Sequence, residues 1–174
     1  MKSFIASICI LGLVGMVVGV AVQGADTGTV AATVTPRLLS VSVSPITVGY
    51  GVVDVPGVDK APVTPTTDPV ITATNDGNAA EKLNIKGANA TGTSVLWTIT
   101  TAAPGGSPTY NYNHKFGVSP YSIFTAMDTN YATLVASVAQ GGTQDFRLRL
   151  STPTDAGADY SVHSTTVTVQ AVTP

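Results

Sequence analysis

Cysteine occurs once in the 174 residues, at Cys9, glutamate once, at Glu81, and tryptophan once, at Trp97; His114 and His163 are the only histidines. One cysteine excludes a disulfide framework and paired-cysteine metal sites, and leaves cysteine–histidine catalysis almost no material. Charged residues make up only 10% of the chain and the formal net charge is −2. The chain therefore offers no basic footprint to nucleic acid and no polybasic face to anionic lipid. With a mean hydropathy of +0.30 and no long polar tract, it is too apolar to be disordered and too short for several ordinary domains. One folded domain is expected.

Lys2 precedes an uncharged run from Phe4 to Val20, interrupted by Gly12, Gly15 and Gly19, and Val22-Gln23-Gly24 then supplies short residues where a signal peptidase reads. That pattern predicts a secretory signal peptide over residues 1–24 rather than a permanent span, which needs about 20 apolar residues. Ile8 stands where a lipobox needs a small residue, so Cys9 is expected to leave with the leader. Removing 24 of the 174 residues leaves 150 without cysteine, and losing Lys2 from 8 basic residues against 10 acids gives a net charge of −3. A chain of that size buries roughly 68–70% of its unfolded surface, enough for a core that needs no disulfide or metal. No membrane span is expected after the leader.

Threonine is abundant and interleaved with valine and isoleucine, which favours strands. Leu39, Val41 and Val43 alternate with Ser40, Ser42 and Ser44; Leu83 and Ile85 with Asn84 and Lys86; Phe146, Leu148 and Leu150 with Asp145, Arg147 and Arg149. Val95, Trp97 and Ile99 share a face. Each run has the period of two expected of a half-buried strand. Turn signals separate them: Ser44-Pro45, Pro56-Gly57, Pro62 to Pro69, Asn75-Asp76-Gly77-Asn78, Pro104-Gly105-Gly106, Gly141-Gly142 and Pro153 to Gly157. Many short strands at this spacing predict an all-β chain, an antiparallel β-sandwich of immunoglobulin-like type over residues 37–174. Ser119 to Met127 is the one stretch with a helical signal, Ser119 as cap and Pro120 at the first position. A final strand is expected over Tyr160 to Val172, with a bulge between Val162 and Val167 because the apolar parity changes there.

The run SVSVSPITVGYGVVDVPG, Ser40 to Gly57, followed by VITATNDGNAAEKLNIKG, Val70 to Gly87, resembles secreted immunoglobulin-like sandwich domains of prokaryotic surface proteins. In that pattern a serine-proline strand leads to an aromatic-glycine-valine, and a later strand ends in asparagine and a turn glycine. The same layout occurs in the domains named after abnormal spindle proteins and hydin. The resemblance covers about a third of the chain, implies fold and surface location, and brings no catalytic residue. In architecture the chain is also similar to small secreted fibre subunits of the TasA and camelysin kind and to archaeal bundling pilins, which pair a leader with a threonine-rich sandwich.

No acid, base and nucleophile converge at a readable spacing. There is no nucleophile elbow and no phosphate-cradling glycine loop, so no enzyme, cofactor or metal is expected. Asp54 with Asp59, Asp76 with Asn75 and Asn78, and Asp155 with Asp159 lack the fixed oxygen spacing of a calcium loop and read as solvated turn residues. Trp97 can be a sugar platform, but its parity with Val95 and Ile99 assigns it to the core. His114 and Phe116 share the phase of Tyr112, which predicts a strand face carrying a hydrogen-bonded histidine. Asn89-Ala90-Thr91 is a formal glycosylation sequon. Tyr110, Tyr112, Tyr121 and Tyr131 follow Pro108 in a polar stretch; they are either a surface for carbohydrate or a surface protein, or ordinary half-buried strand residues.

Residues 25–36 form an N-terminal strand or arm. Thr29, Ala31 and Thr33 alternate with Val30, Ala32 and Val34 before Pro36 interrupts any ladder. Such a segment pairs within its own sheet, stays a mobile tail, or adds to the open edge of a neighbour. After Val172 only Thr173-Pro174 follow, without a sorting signal, so retention at a surface would have to come from association. The resulting expectation is a secreted structural surface protein, a homo-oligomer or filament built by donation of the strand at residues 29–34. The alternative is a soluble extracellular carbohydrate- or protein-binding module.

Overall fold

The computed structural model describes residues 28–174, so the expected leader at residues 1–24 lies outside them. The chain divides into a unit Met1–Thr35 and a unit Pro36–Pro174. The second unit is all-β. Its strands are β1 Val41–Ser44, β2 Ile71–Asn75, β3 Glu81–Lys86, β4 Ala90–Thr91, β5 Leu96–Ile99, β6 Asn111–Val118, β7 Thr125–Ala126, β8 Ala132–Val138, β9 Thr143–Ser151 and β10 Thr168–Val172. No helix forms among the described residues, and none there is long and apolar enough to cross a membrane.

The period of two decides which residues go inside. In β2 and β3 burial alternates along each strand, so Ile71, Ala73, Leu83 and Ile85 are buried while Thr72, Thr74, Lys82, Asn84 and Lys86 face outward. Trp97 and Ile99 of β5 are buried, as are Phe146, Leu148 and Leu150 of β9. The larger sheet runs β1-β2-β9-β6-β5-β4, with the short β7 on β6, and the smaller runs β10-β3-β8. Inward residues of both sheets meet in one hydrophobic cluster, a sandwich-like arrangement. Pairing is antiparallel except between β5 and β6, where Thr98 pairs Asn111 in parallel. The reason lies in the intervening loop. Thr100 to Tyr110 carries the chain back before β6 starts, and Asn113 Nδ2 donates to the Thr100 and Ala102 carbonyls, holding the loop against the strand.

Two expectations are corrected. Ser119–Met127 forms no helical turn. The Tyr121 N–H donates to the Val118 carbonyl to close a turn, Tyr121 takes a positive φ of 62°, and Thr125–Ala126 then pairs β6; a left-handed residue straight after Pro120 cannot continue a right-handed helix. No continuous strand runs from Tyr160 to Val172. The ladder begins only at Thr168, and before it Ser164 alone bridges, to Thr91. Thr29, Val30, Ala31, Ala32, Thr33 and Val34 form no strand in the single chain. All six are exposed, Val30 at 93% and Val34 at 90%.

Candidate functional site

The structure does not bring the four tyrosines together. Tyr112, on β6, is wholly buried: its hydroxyl donates to the Ala88 carbonyl at 2.5 Å and lies 3.0 Å from Thr165 Oγ1. It presents no surface, and burial pushes its hydroxyl up to about 12. Tyr110 is half-buried just before β6. The Tyr121 ring lies under the Arg147 guanidinium of the larger sheet at 4.4 Å. Tyr131 sits beside the smaller sheet with Lys86 Nζ 4.6 Å from its ring centre. Tyr112 is thus a core residue, and Tyr121 and Tyr131 belong to different sheets.

A different feature was not legible in sequence. Beyond Ser44, where β1 ends, and before Thr168, where β10 begins, two irregular segments bound an open slot of about 940 Å³. One wall is the run from Pro45 to Val55; the other is Asp159 to Val167. Ile71, Trp97, His114, Phe146, Leu148 and Leu150, all inward residues of the larger sheet, form the floor. Large apolar side chains of both walls are exposed: Ile46 and Val52 on one, Tyr160 and Val162 on the other. Scattered exposed apolar residues are ordinary on a soluble surface, but here they rim a continuous apolar floor.

The second wall is held by polar contacts. Asp159 Oδ2 accepts the N–H groups of Ser94 and Val95, both at 2.8 Å, and Oδ1 accepts that of Ser161 at 3.0 Å. Hydrogen bonding from Ser161, then from the Ser94 and Val95 backbone, holds this carboxyl well below the usual carboxylate range. His163 stacks on Trp97 and places Nδ1 3.1 Å from the Ser161 carbonyl and Nε2 3.2 Å from that of Val95. Gly92 packs against both His163 and Asp159 with no room for a Cβ. Asp159 is therefore a buried anchor for the segment, not a solvated turn residue. Asp59 is likewise engaged, its Oδ1 2.7 Å from Lys115 Nζ.

In the floor, His114 is buried and its Nε2 lies 2.8 Å from the Tyr50 hydroxyl, the histidine contact expected on this strand face. Burial lowers His114 to about 4 and raises Tyr50 above the ordinary tyrosine range. Trp97 has the core position its parity implies, yet its Nε1 and His114 Nδ1 are buried without hydrogen-bond partners. Among the described residues no three His, Cys, Asp or Glu side chains converge as metal ligands would.

At the Asn75-to-Glu81 turn, side chains fasten the chain entering β1. Asn78 Oδ1 accepts the Leu38 N–H at 2.8 Å, Asn78 Nδ2 donates to the Pro36 carbonyl, and Glu81 Oε1 accepts the Ser40 N–H. Backbone bonds from Asp76 to Ser40 and from Asn78 to Leu38 complete the zipper. Asn75 adds two donations, to the carbonyls of Ala79 and Val138. The motif that carries the family resemblance in sequence thus acts here as a structural knot. Comparison with protein-family models, curated proteins and solved structures finds no match to this chain.

Proposed function

We propose that the chain is a secreted structural subunit, an immunoglobulin-like sandwich that associates with further copies of itself into an extracellular filament or layer by lending the segment Thr29–Val34 to a neighbour's sheet. The observation that carries this reading is the state of that segment. It has strand alternation and no charge, yet in the single chain it is unpaired and exposed along its whole length. Exposed strand-forming sequence of this kind is a liability unless it has a partner.

The energetics constrain how the pairing works. Fully burying Val30 and Val34 contributes about 1.5–3 kcal/mol each, while fixing six backbone residues costs on the order of 1–2 kcal/mol per residue. Main-chain hydrogen bonds add about 1 kcal/mol each. A bare sheet edge that leaves one face of the segment wet does not offset the ordering cost. The acceptor must bury that face.

The test compares the chain beginning at Ala25 with one beginning at Arg37, by electron microscopy and sedimentation under identical conditions. Filaments or large oligomers from the longer form alone support strand donation. A monodisperse monomer from both at high concentration rejects it and favours the soluble binding module.

A further inference from the structure

We infer that the acceptor is the slot between Pro45–Val55 and Asp159–Val167, and that its occupant is the Thr29–Val34 segment of a second copy of this chain. The inference rests on the strand-donation reading and adds to it the place, the face and the direction of the contact.

The slot offers what an added strand needs. Ser164 turns its N–H and C=O toward Thr91, bonding it in both directions at 2.9 and 3.0 Å. Along an extended chain the backbone groups of alternate residues point to opposite edges, so His163 and Thr165 turn theirs away from Thr91, to the free edge. Burial in this wall alternates as in a strand, with Ser161, His163, Thr165 and Val167 half-buried and Val162, Ser164 and Thr166 exposed. From Val162 to Val167 the wall thus has the side-chain alternation of a strand edge and is bonded, at Ser164, on one side.

The occupant fits by chemistry and length. Val30, Ala32 and Val34 lie on one face of an extended segment and meet the apolar floor of Ile71, Phe146, Leu148 and Leu150; Thr29, Ala31 and Thr33 face the other way. Residues 27–36 carry no charge, and Asp159, the one ionised group of the lining, already accepts three hydrogen bonds. The lining holds no Lys or Arg, so insertion leaves no carboxylate or basic chain without a partner. Six residues span roughly 20 Å as a strand, comparable with the eight residues of Tyr160–Val167 that form the wall.

Reach identifies the donor as another copy. Asn78 pins Pro36 and Leu38 at one end of β1, whereas the slot begins past Ser44 at the other. Pro36 to Ser44 is eight residues of extended chain, about 26 Å. A segment rooted at Pro36 would use Thr35 to Thr29, at most about 25 Å even when fully extended, merely to return along β1 to the mouth of its own slot. It would have nothing left to lie inside. With the donor root at one end of the subunit and the acceptor at the other, each copy gives in one direction and receives from the opposite one, a head-to-tail contact that propagates unless its rotation closes a ring.

Cys9 is the sole cysteine and precedes Ala25, so cysteines introduced into the chain starting at Ala25 report without background. Ala31→Cys protein, whose new side chain shares the outward face with the exposed wall positions, is mixed separately with four partners under mild oxidation: Val162→Cys and Thr166→Cys beside the slot, Ser42→Cys on the outer edge strand β1, and Thr133→Cys on the outer edge strand β8. Cross-linked dimer at the slot positions at least tenfold above that at Ser42→Cys and Thr133→Cys is the expected result. In parallel, Ala32→Asp should abolish assembly and the accompanying change in the fluorescence of Trp97 in the floor. Assembly with cross-linking preferentially at Ser42→Cys or Thr133→Cys overturns the slot while leaving strand donation standing. Assembly that cross-links at none of the four and survives Ala32→Asp overturns both, as does failure of the unmodified chain to assemble.

Discussion

The Trp97 indole and the His163 imidazole stack with ring centres 3.9 Å apart and planes within 17° of parallel. This contact joins an inward residue of the larger sheet to a segment that has almost no ladder of its own. Since Trp97 is the only tryptophan, its emission reports on the segment directly. His163→Ala is expected to lower stability by about 1 kcal/mol, the scale of an aromatic pair, and to shift Trp97 emission to longer wavelength as water reaches the ring. Urea titration followed by fluorescence measures both; unchanged emission would mean that the imidazole does not shield the indole.

Acid should weaken the fold in two separate windows. Burial lowers His114 from 6.5 to about 4, so between those values the unfolded chain binds a proton that the folded chain refuses. Stability is then complete above about pH 6.5 and is lost as pH falls toward 4, by about 3 kcal/mol at 1.36 kcal/mol per pKa unit. His114→Gln should flatten this window. Asp159 and Asp68, whose carboxyls are held below the usual range, contribute stability that is lost only from about pH 3.8 downward. Thermal melts across pH 3 to 8 on both proteins separate the two.

Gly77, the one glycine of the β2–β3 turn, is predicted to resist substitution. A Cβ there would collide with the Leu38 carbonyl and the Glu81 carboxylate, both parts of the zipper that fastens the entry to β1. Gly77→Ala should cost roughly 1–3 kcal/mol by overpacking, read as a lower midpoint with unchanged slope in urea. Gly141→Ala is a useful contrast, because open space surrounds Gly141 but its φ of 69° opposes a side chain. Its cost should come from backbone strain alone.

Asp68 faces both Arg147, at 2.8 Å, and Arg149, at 2.5 Å, on the outer face of β9. These pairs are partly exposed, so Asp68→Asn should cost no more than about 1 kcal/mol. Asn tolerates the positive φ of 53° at this position, which isolates the charge effect from the backbone. The loss should shrink in high salt, and melts at low and high ionic strength check this.

Strand content was legible because alternation is a local property. Val41 and Val43, Leu83 and Ile85, Trp97 and Ile99, and the Phe146-Leu148-Leu150 series all lie where their parity assigns them, since a strand can bury one face only by burying every second residue. Tyr160 and Val162 misled the same reasoning. Their parity reads as part of the last strand, yet both are exposed, because Asp159 and His163 fix the segment through contacts with residues about 65 positions away.

Composition and periodicity alone therefore settled that the chain is all-β, that Leu83, Ile85, Trp97, Ile99, Phe146, Leu148 and Leu150 face its core, and that Thr29–Val34 has the writing of a strand. Only the tertiary structure decided that Tyr112 is buried, that Asp159 and Glu81 serve as hydrogen-bond anchors, and that the two sheets leave a slot open beyond β1 and β10. The physical reason is range. Side-chain alternation is set by neighbours one and two residues away, whereas the slot depends on where β1 stops, where β10 starts and which distant N–H groups one aspartate gathers.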